Sequence, residues 1–329
     1  MIAETLFSIN TLYRQPIPVT GLFFGSGEKT LAIVGSLRGN EVQQLYICSQ
    51  LVKCLKRYEE DGMITEGCQI LVIPCVNPFS MNLGKRFWAV DNTDINRMFP
   101  GYAKGETTQR IAASLFDHLR GYVYGIQLSS FYLPGNFVPH VRVLDTGYHD
   151  LDLCDYFGLP YVMLSKPLPI DTGTLNYNWQ VFDTKAFSIY SKETKNVHDE
   201  SAVQAIEATF SFMNSQGMLK GIDARETQGK YYPFHPIHFS EEDLVNVLSS
   251  KGGIFIHRSF VGEEVKKGGV LADILDAYSG EIAERLLAPC DGRIFFNHNS
   301  NLISGHEVSC RIIPNDAVFK HSESSMRRS

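Results

Sequence analysis

The sequence has no surplus of positive charge: 30 lysines and arginines stand against 36 aspartates and glutamates in 329 residues, a formal charge of −6. Without a basic stripe there is no electrostatic footprint for a phosphate backbone, and no nucleic-acid partner is expected. No apolar run approaches the roughly 20 residues that cross a bilayer, so no membrane partner is expected either. The opening Met1-Ile-Ala-Glu-Thr lacks the basic and apolar regions of a secretory signal. The seven cysteines (Cys48, Cys54, Cys68, Cys75, Cys154, Cys290, Cys310) are odd in number and contain no CxxC pair, which argues against a disulfide framework or a zinc ribbon. Several lie in apolar runs, as in Leu71-Val-Ile-Pro-Cys75, where a thiol acts as a small buried hydrophobe. These features predict reduced thiols in a soluble, cytoplasmic protein. There is no internal repeat, and the polar tail, 316–329, is expected to fray.

What is present is an ordinary globular composition, 44% hydrophobic and 20% charged, ample for a core that needs no metal or disulfide. Residues 30–35 and 69–75 read as buried strands. Between them Val42, Leu45, Cys48, Leu51, Val52 and Leu55 recur at helical spacing behind Asn40, a candidate cap. A second helix opens at Thr107 or Thr108, with Ile111, Leu115, Phe116 and Leu119 on one face. A third covers about 201–216, with Val203, Ile206, Phe210 and Met213 inward and Gly217 as its stop. Further strands are expected over 123–129, 138–143, 161–164 and 186–190. Buried strands alternating with amphipathic helices predict an α/β sheet covered on both faces over 1–225. Over 226–315 the texture changes to short strands separated by glycine. The segments "GEEVKKGGVLADI" and "APCDGRI" resemble half of the barrel-sandwich of lipoyl and biotinyl domains. The hairpin that carries the modifiable lysine is missing, so a small all-β, barrel-sandwich-like domain is expected there, not a swinging carrier.

The most informative stretch is Asn77-Pro78, Arg86 and Asp94-Ile-Asn-Arg-Met-Phe-Pro-Gly101. With Glu106-Thr-Thr-Gln-Arg-Ile-Ala-Ala112, Pro139-His-Val-Arg142 and Gly217-Met-Leu219 following in order, the chain resembles the succinylglutamate desuccinylase/aspartoacylase family, relatives of the zinc carboxypeptidases. The resemblance implies a carboxypeptidase-like mixed sheet flanked by helices. It implies a reaction in which zinc-activated water hydrolyses an N-acyl amino acid. It also implies two zinc ligands from an "H-G-x-E" turn, a third from "D-L-H", and a glutamate base at a later strand end.

In this sequence those positions are Arg38, Glu41, Ser129 and Tyr190, so Glu41 alone survives. Arg86, Asn96 and Arg97 match the family's oxyanion and substrate-binding residues, and Arg142 lies in the matching "P-H-V-R" segment. A guanidinium has no lone pair for a metal and keeps its proton at ordinary pH, and a serine hydroxyl is a poor zinc ligand. Two readings of the turn stay open: Arg38 pairs with Glu41 and fills the vacated site, or it points to solvent while Glu41 serves the helix dipole. Asp94–Arg97 has a bland reading as a purely structural turn, and His140 as an ordinary strand or loop histidine. His235 and His238 have chelating spacing but no third group. Glu193 is a substitute base only if the strand register slips.

The function expected is that of a zinc-less pseudoenzyme that binds a carboxylate-bearing small molecule or peptide, with no cofactor. An active homologue or a second copy are the candidate protein partners. The alternative is a metal-dependent amidohydrolase with an unusual site, built on Glu41, His140 and an unidentified acid. A third reading makes the chain an interaction scaffold with a vestigial pocket. A fourth assigns non-metal chemistry to Tyr190, Ser129 or Arg38.

Overall fold

The computed structural model describes residues 1–10, 15–131, 133, 135–192, 195–220 and 236–317. Two compact units emerge from the contacts: Met1–Ser130 with Pro139–Pro236, and Phe131–Val138 with Ile237–Ser329. The boundary read near residue 225 and nearly all of the tail lie outside the described residues.

In chain order the first stretch contains β1 (Ile2–Ile9), β2 (Ile17–Gly25), β3 (Gly27–Ser36), α1 (Val42–Glu60), β4 (Gly67–Cys75) and α2 (Pro78–Asn82). It continues with α3 (Thr107–Leu119), β5 (Tyr124–Ser129), β6 (Gly135–Phe137), β7 (His140–Leu144) and β8 (Tyr161–Ser165). After them come α4 (Leu175–Val181), β9 (Lys185–Tyr190) and α5 (Asp199–Ser215). In the first unit the strands lie in the order β1-β2-β4-β3-β5-β9-β7-β8. The central pairs β4·β3, β3·β5 and β5·β9 are parallel, whereas β1·β2, β2·β4 and β9·β7 are antiparallel. The sheet is therefore mixed and flanked by helices, as the sequence implied.

The two-residue period of β3 shows why both faces are covered. Leu31 and Ile33 enter one core with Ile47, Leu51 and Phe212. Ala32 and Val34 enter the other with Ile111, Leu115, Phe116 and Trp179. Two details differ from the periodicity. Val42 and Val203 are exposed, because α1 opens on buried Gln43 and Gln44 and α5 turns inward the small face of Ala202, Ala205 and Ala208. Small side chains let that helix approach its neighbours, so the apolar count alone mislocates its inner face.

The second unit holds β6 and β10 (Ile237–Ser240), β11 (Val245–Leu248), β12 (Gly253–His257), β13 (Glu264–Val265), β14 (Val270–Leu275), β15 (Ile282–Leu287), β16 (Gly292–His298), β17 (Leu302–Ile303) and β18 (Val308–Pro314). Two antiparallel sheets form, β11-β18-β16-β13 with β6 on β16, and β15-β14-β12-β17. Phe255, Leu271, Ile274, Leu286, Ile294 and Ile312 form their shared core.

Candidate functional site

The parallel strands β3 and β5 end side by side, and the turn after β3 carries Arg38 and Glu41. In open α/β sheets the carboxyl ends of strands are where ligands bind. Gly39 sits where a Cβ would come within 2.4 Å of both the Lys85 carbonyl oxygen and the Ser80 carbonyl carbon. Only glycine lets this turn press onto 80–85, and the Gly39 amide then donates to the Arg86 carbonyl at 3.0 Å. Arg86 is thereby brought to the Arg38/Glu41 cluster.

Arg38 is 6% exposed, so the solvent-facing reading fails. Its Nε and Nη2 donate to Asp94 Oδ2 at 3.1 and 2.8 Å. Its Nη1 donates to Glu41 Oε1 at 3.3 Å and to Ser130 Oγ at 3.2 Å. The Arg38 amide donates to Glu41 Oε2 at 3.0 Å, and the Ser130 hydroxyl donates to Glu41 Oε1. The expected pairing with Glu41 is present, but Asp94 is the closer charge partner. Burial opposes the charge on Arg38; Asp94 and Glu41 outweigh it and raise its pKa, so the guanidinium stays charged. Arg86 moves the other way: burial and the like charge of Arg38 lower its pKa, while Glu41 and Asp94 pull it back up. Two guanidinium groups and two carboxylates thus interact in one largely buried cluster, where each pairing counts for more than at the surface.

Neighbouring elements fix this cluster. The N-cap of α1 is Glu41, not Asn40, and it makes no side-chain cap bond, its carboxylate being engaged by Arg38 and Ser130. Ser36 Oγ donates to the Glu41 carbonyl at 2.6 Å. Gln44 Nε2 donates to the Ser129 carbonyl at 2.9 Å, tying α1 to the end of β5. Gln43 bonds both the His198 backbone and Ser201 Oγ, anchoring the start of α5.

Ser129, Tyr190 and His140 stand in register across β5, β9 and β7. The rings of Tyr190 and His140 stack at 4.8 Å and 7°. Asn96 accepts the Leu175 amide on its Oδ1 at 3.1 Å and so holds the start of α4. Arg97 Nη1 donates to Asp171 Oδ1 at 2.8 Å and to the Ile170 carbonyl at 3.0 Å. Arg142 Nε donates to Ser165 Oγ at 2.9 Å. Asp94 Oδ1 accepts the Asn96 amide, so the Asp94–Arg97 turn is structural as well as part of the site. Glu193 and His235 lie outside the described residues. Sequence reasoning missed Ser130 and the role of Asp94; the position of Asp94 in the motif was the available signal.

These residues do not fit a tetrahedral zinc. Among the described residues no group of three or more His, Cys, Asp or Glu side chains is placed to hold a metal ion. The carboxylates at hand, Glu41 and Asp94, are bonded to a guanidinium that offers no lone pair. The nearby thiol, Cys75, is pushed up to about 12 by burial and the charge of Glu41, against a hydrogen bond from the Asn77 backbone. It is not a thiolate near neutrality.

The profile of the Succinylglutamate desuccinylase/Aspartoacylase catalytic domain matches residues 27–127, which contain Arg38, Glu41, Arg86 and Asp94. No curated protein sequence matches the chain. Among solved structures, a succinylglutamate desuccinylase/aspartoacylase from Rhodobacter sphaeroides superposes with a TM-score of 0.75 at 18% identity, over 91% of this chain and 89% of that one. The product-bound ectoine utilization protein EutE (DoeB) from Ruegeria pomeroyi gives 0.73 at 18% identity, over 90% and 89%. An aspartoacylase family protein from Mesorhizobium loti gives 0.72 at 21% identity, over 91% and 88%. At these identities the likeness carries the fold, not the activity.

Proposed function

We propose that this chain, whose residues 27–127 match the succinylglutamate desuccinylase/aspartoacylase catalytic domain and whose fold solved structures of that name share, is a deacylase-like protein that works without zinc and binds a carboxylate-bearing small molecule or peptide. The single observation that carries this reading is the buried Arg38 guanidinium, bonded to Glu41, Asp94 and Ser130. It supplies a permanent positive charge beside the one carboxylate that would otherwise be a metal ligand. Such an arrangement retains the electrostatic half of a deacylase site and lacks the water-activating half.

Arg86 is the anchor for the ligand's carboxylate. It shares a pocket with a second cation, and an incoming anion would offset the burial and repulsion that depress its pKa. Arginine suits this task because its planar fork meets a carboxylate with two parallel hydrogen bonds. Arg97, held by Asp171 and Ile170, shapes the same region through the loop before α4.

The test is calorimetric titration with N-acetyl-aspartate and with a short peptide bearing a free C-terminus. Binding of either, weakened at least about tenfold by Arg86→Ala, supports the reading, a charge-assisted hydrogen bond being worth about 1.5–3 kcal/mol. Chelator-sensitive hydrolysis of N-acetyl-aspartate would instead establish the metal-dependent amidohydrolase.

A further inference from the structure

The sheet β15-β14-β12-β17 of the second unit has one face in the core, where Phe255 pairs with Ile274. Its other face ought to be polar, since a one-sided antiparallel sheet alternates apolar-in with polar-out. One row of it is not. Ile282, Leu275, Ile254 and Leu302 stand in register across all four strands, an apolar row about 14 Å long at ordinary strand spacing. Ile282 and Leu302 are exposed, and Ile254 and Leu275 are partly so. The next row carries Ile256, Asp273 and Arg285 in register, with Arg258 just beyond the end of β12.

Asp273 is fully buried because two arginines cover it. Arg258 Nε donates to its Oδ2 at 2.8 Å and Arg285 Nε to its Oδ1 at 2.7 Å, with Arg285 Nη2 reaching Oδ2 at 3.4 Å. Both arginine side chains are half exposed. Among the described residues, no other hydrogen bond engages the two Nη groups of Arg258 or Nη1 of Arg285. One carboxylate thus orients two guanidinium groups, leaving a net positive charge and outward N–H donors beside an exposed apolar row.

We infer that this face docks a short segment of a partner protein carrying an acidic residue among apolar ones. The acid meets Arg258 and Arg285, and the apolar side chains cover Ile254, Leu275, Ile282 and Leu302. An exposed sheet face suits a peptide better than a small molecule, whose sites are concave. A stable globular interface needs about 800 Å² from each partner, more than four apolar side chains and two arginines supply, so the occupant is a short segment and the contact transient. Arginine is also among the residues that dominate such contacts.

The experiment uses the full chain with isoleucine methyl groups isotopically labelled, titrated with acetyl-Leu-Glu-Leu-Glu-Leu-amide and its lysine counterpart. The methyl signals of Ile254, Ile256 and Ile282 should move saturably with the acidic peptide and at least about tenfold more weakly with the basic one. The double substitution Ile282→Asn/Leu302→Asn removes only exposed apolar surface and should weaken binding about tenfold. Arg285→Gln should do likewise, although it also loosens Asp273. Four results would overturn the inference: no methyl shift, equal binding of both peptides, binding unaffected by Ile282→Asn/Leu302→Asn, or shifts with protein concentration alone, which would make the occupant a second copy.

Discussion

Arg38 occupies an electrostatic position that few side chains could take. A lysine would bring the charge but only a point donor, whereas the guanidinium reaches Asp94, Glu41 and Ser130 at once. Removing one member of a buried charge network leaves its partners uncompensated, at a cost of about 3–5 kcal/mol. Arg38→Met should therefore lower the unfolding free energy by roughly that amount in urea melts, and Arg38→Lys by less. A loss below about 1 kcal/mol in the methionine variant would mean that the network is not tight. The Arg38–Glu41 contact was legible in the sequence because both residues leave one short turn. Asp94, 56 positions away, was legible as part of a motif but not as the partner of Arg38. Asn96 and Arg97 read as ligand-binding residues from their motif; their structural contacts, the Asn96 Oδ1 with the start of α4 and one arm of Arg97 with Asp171, were not legible there.

The turn after β3 and the strand β12 each supply a test. Gly39→Ala would drive a methyl group into the backbone of Ser80 and Lys85, and overpacking of this kind costs about 1–3 kcal/mol. The melting temperature should drop and ligand affinity should fall with it, because the same contact seats Arg86; an unchanged melting temperature would contradict the packing argument. On β12, burial and the charge of His298 lower the pKa of His257. A histidine depressed in the folded state contributes stability present above the unfolded value, about 6.5, and lost as pH falls from there through the folded value. Acidification from pH 7 to 5 should thus destabilise the protein, and His257→Gln should flatten that slope in urea melts. A slope unchanged by the substitution would assign the effect elsewhere. The central strands and long helices were legible because their apolar runs and periods are strong. The edge strand β1 and its neighbour β2 were not, because much of β1 faces outward and its pattern does not alternate cleanly.

Taken whole, the molecule shares its architecture with solved succinylglutamate desuccinylase/aspartoacylase structures, with TM-scores above 0.7 at about one-fifth identity, while Arg38, Ser129 and Tyr190 stand at or just beyond the ends of its strands. Fold is carried by dozens of buried apolar positions that tolerate substitution, whereas a zinc site rests on three or four side chains. That asymmetry is why the scaffold could be read from one sequence, and why Arg38, Ser129 and Tyr190 could be read against it. It is also why the ligand could not: a cluster of arginines specifies an anion and leaves its body undefined. The central claim is that Arg38 stands in for the metal. Elemental mass spectrometry of the purified protein, with and without saturating zinc, tests it most directly. The account predicts zinc near zero per chain under both conditions, and no change in Glu41→Ala. About one zinc per chain, lost in Glu41→Ala, would contradict it and restore a metallohydrolase.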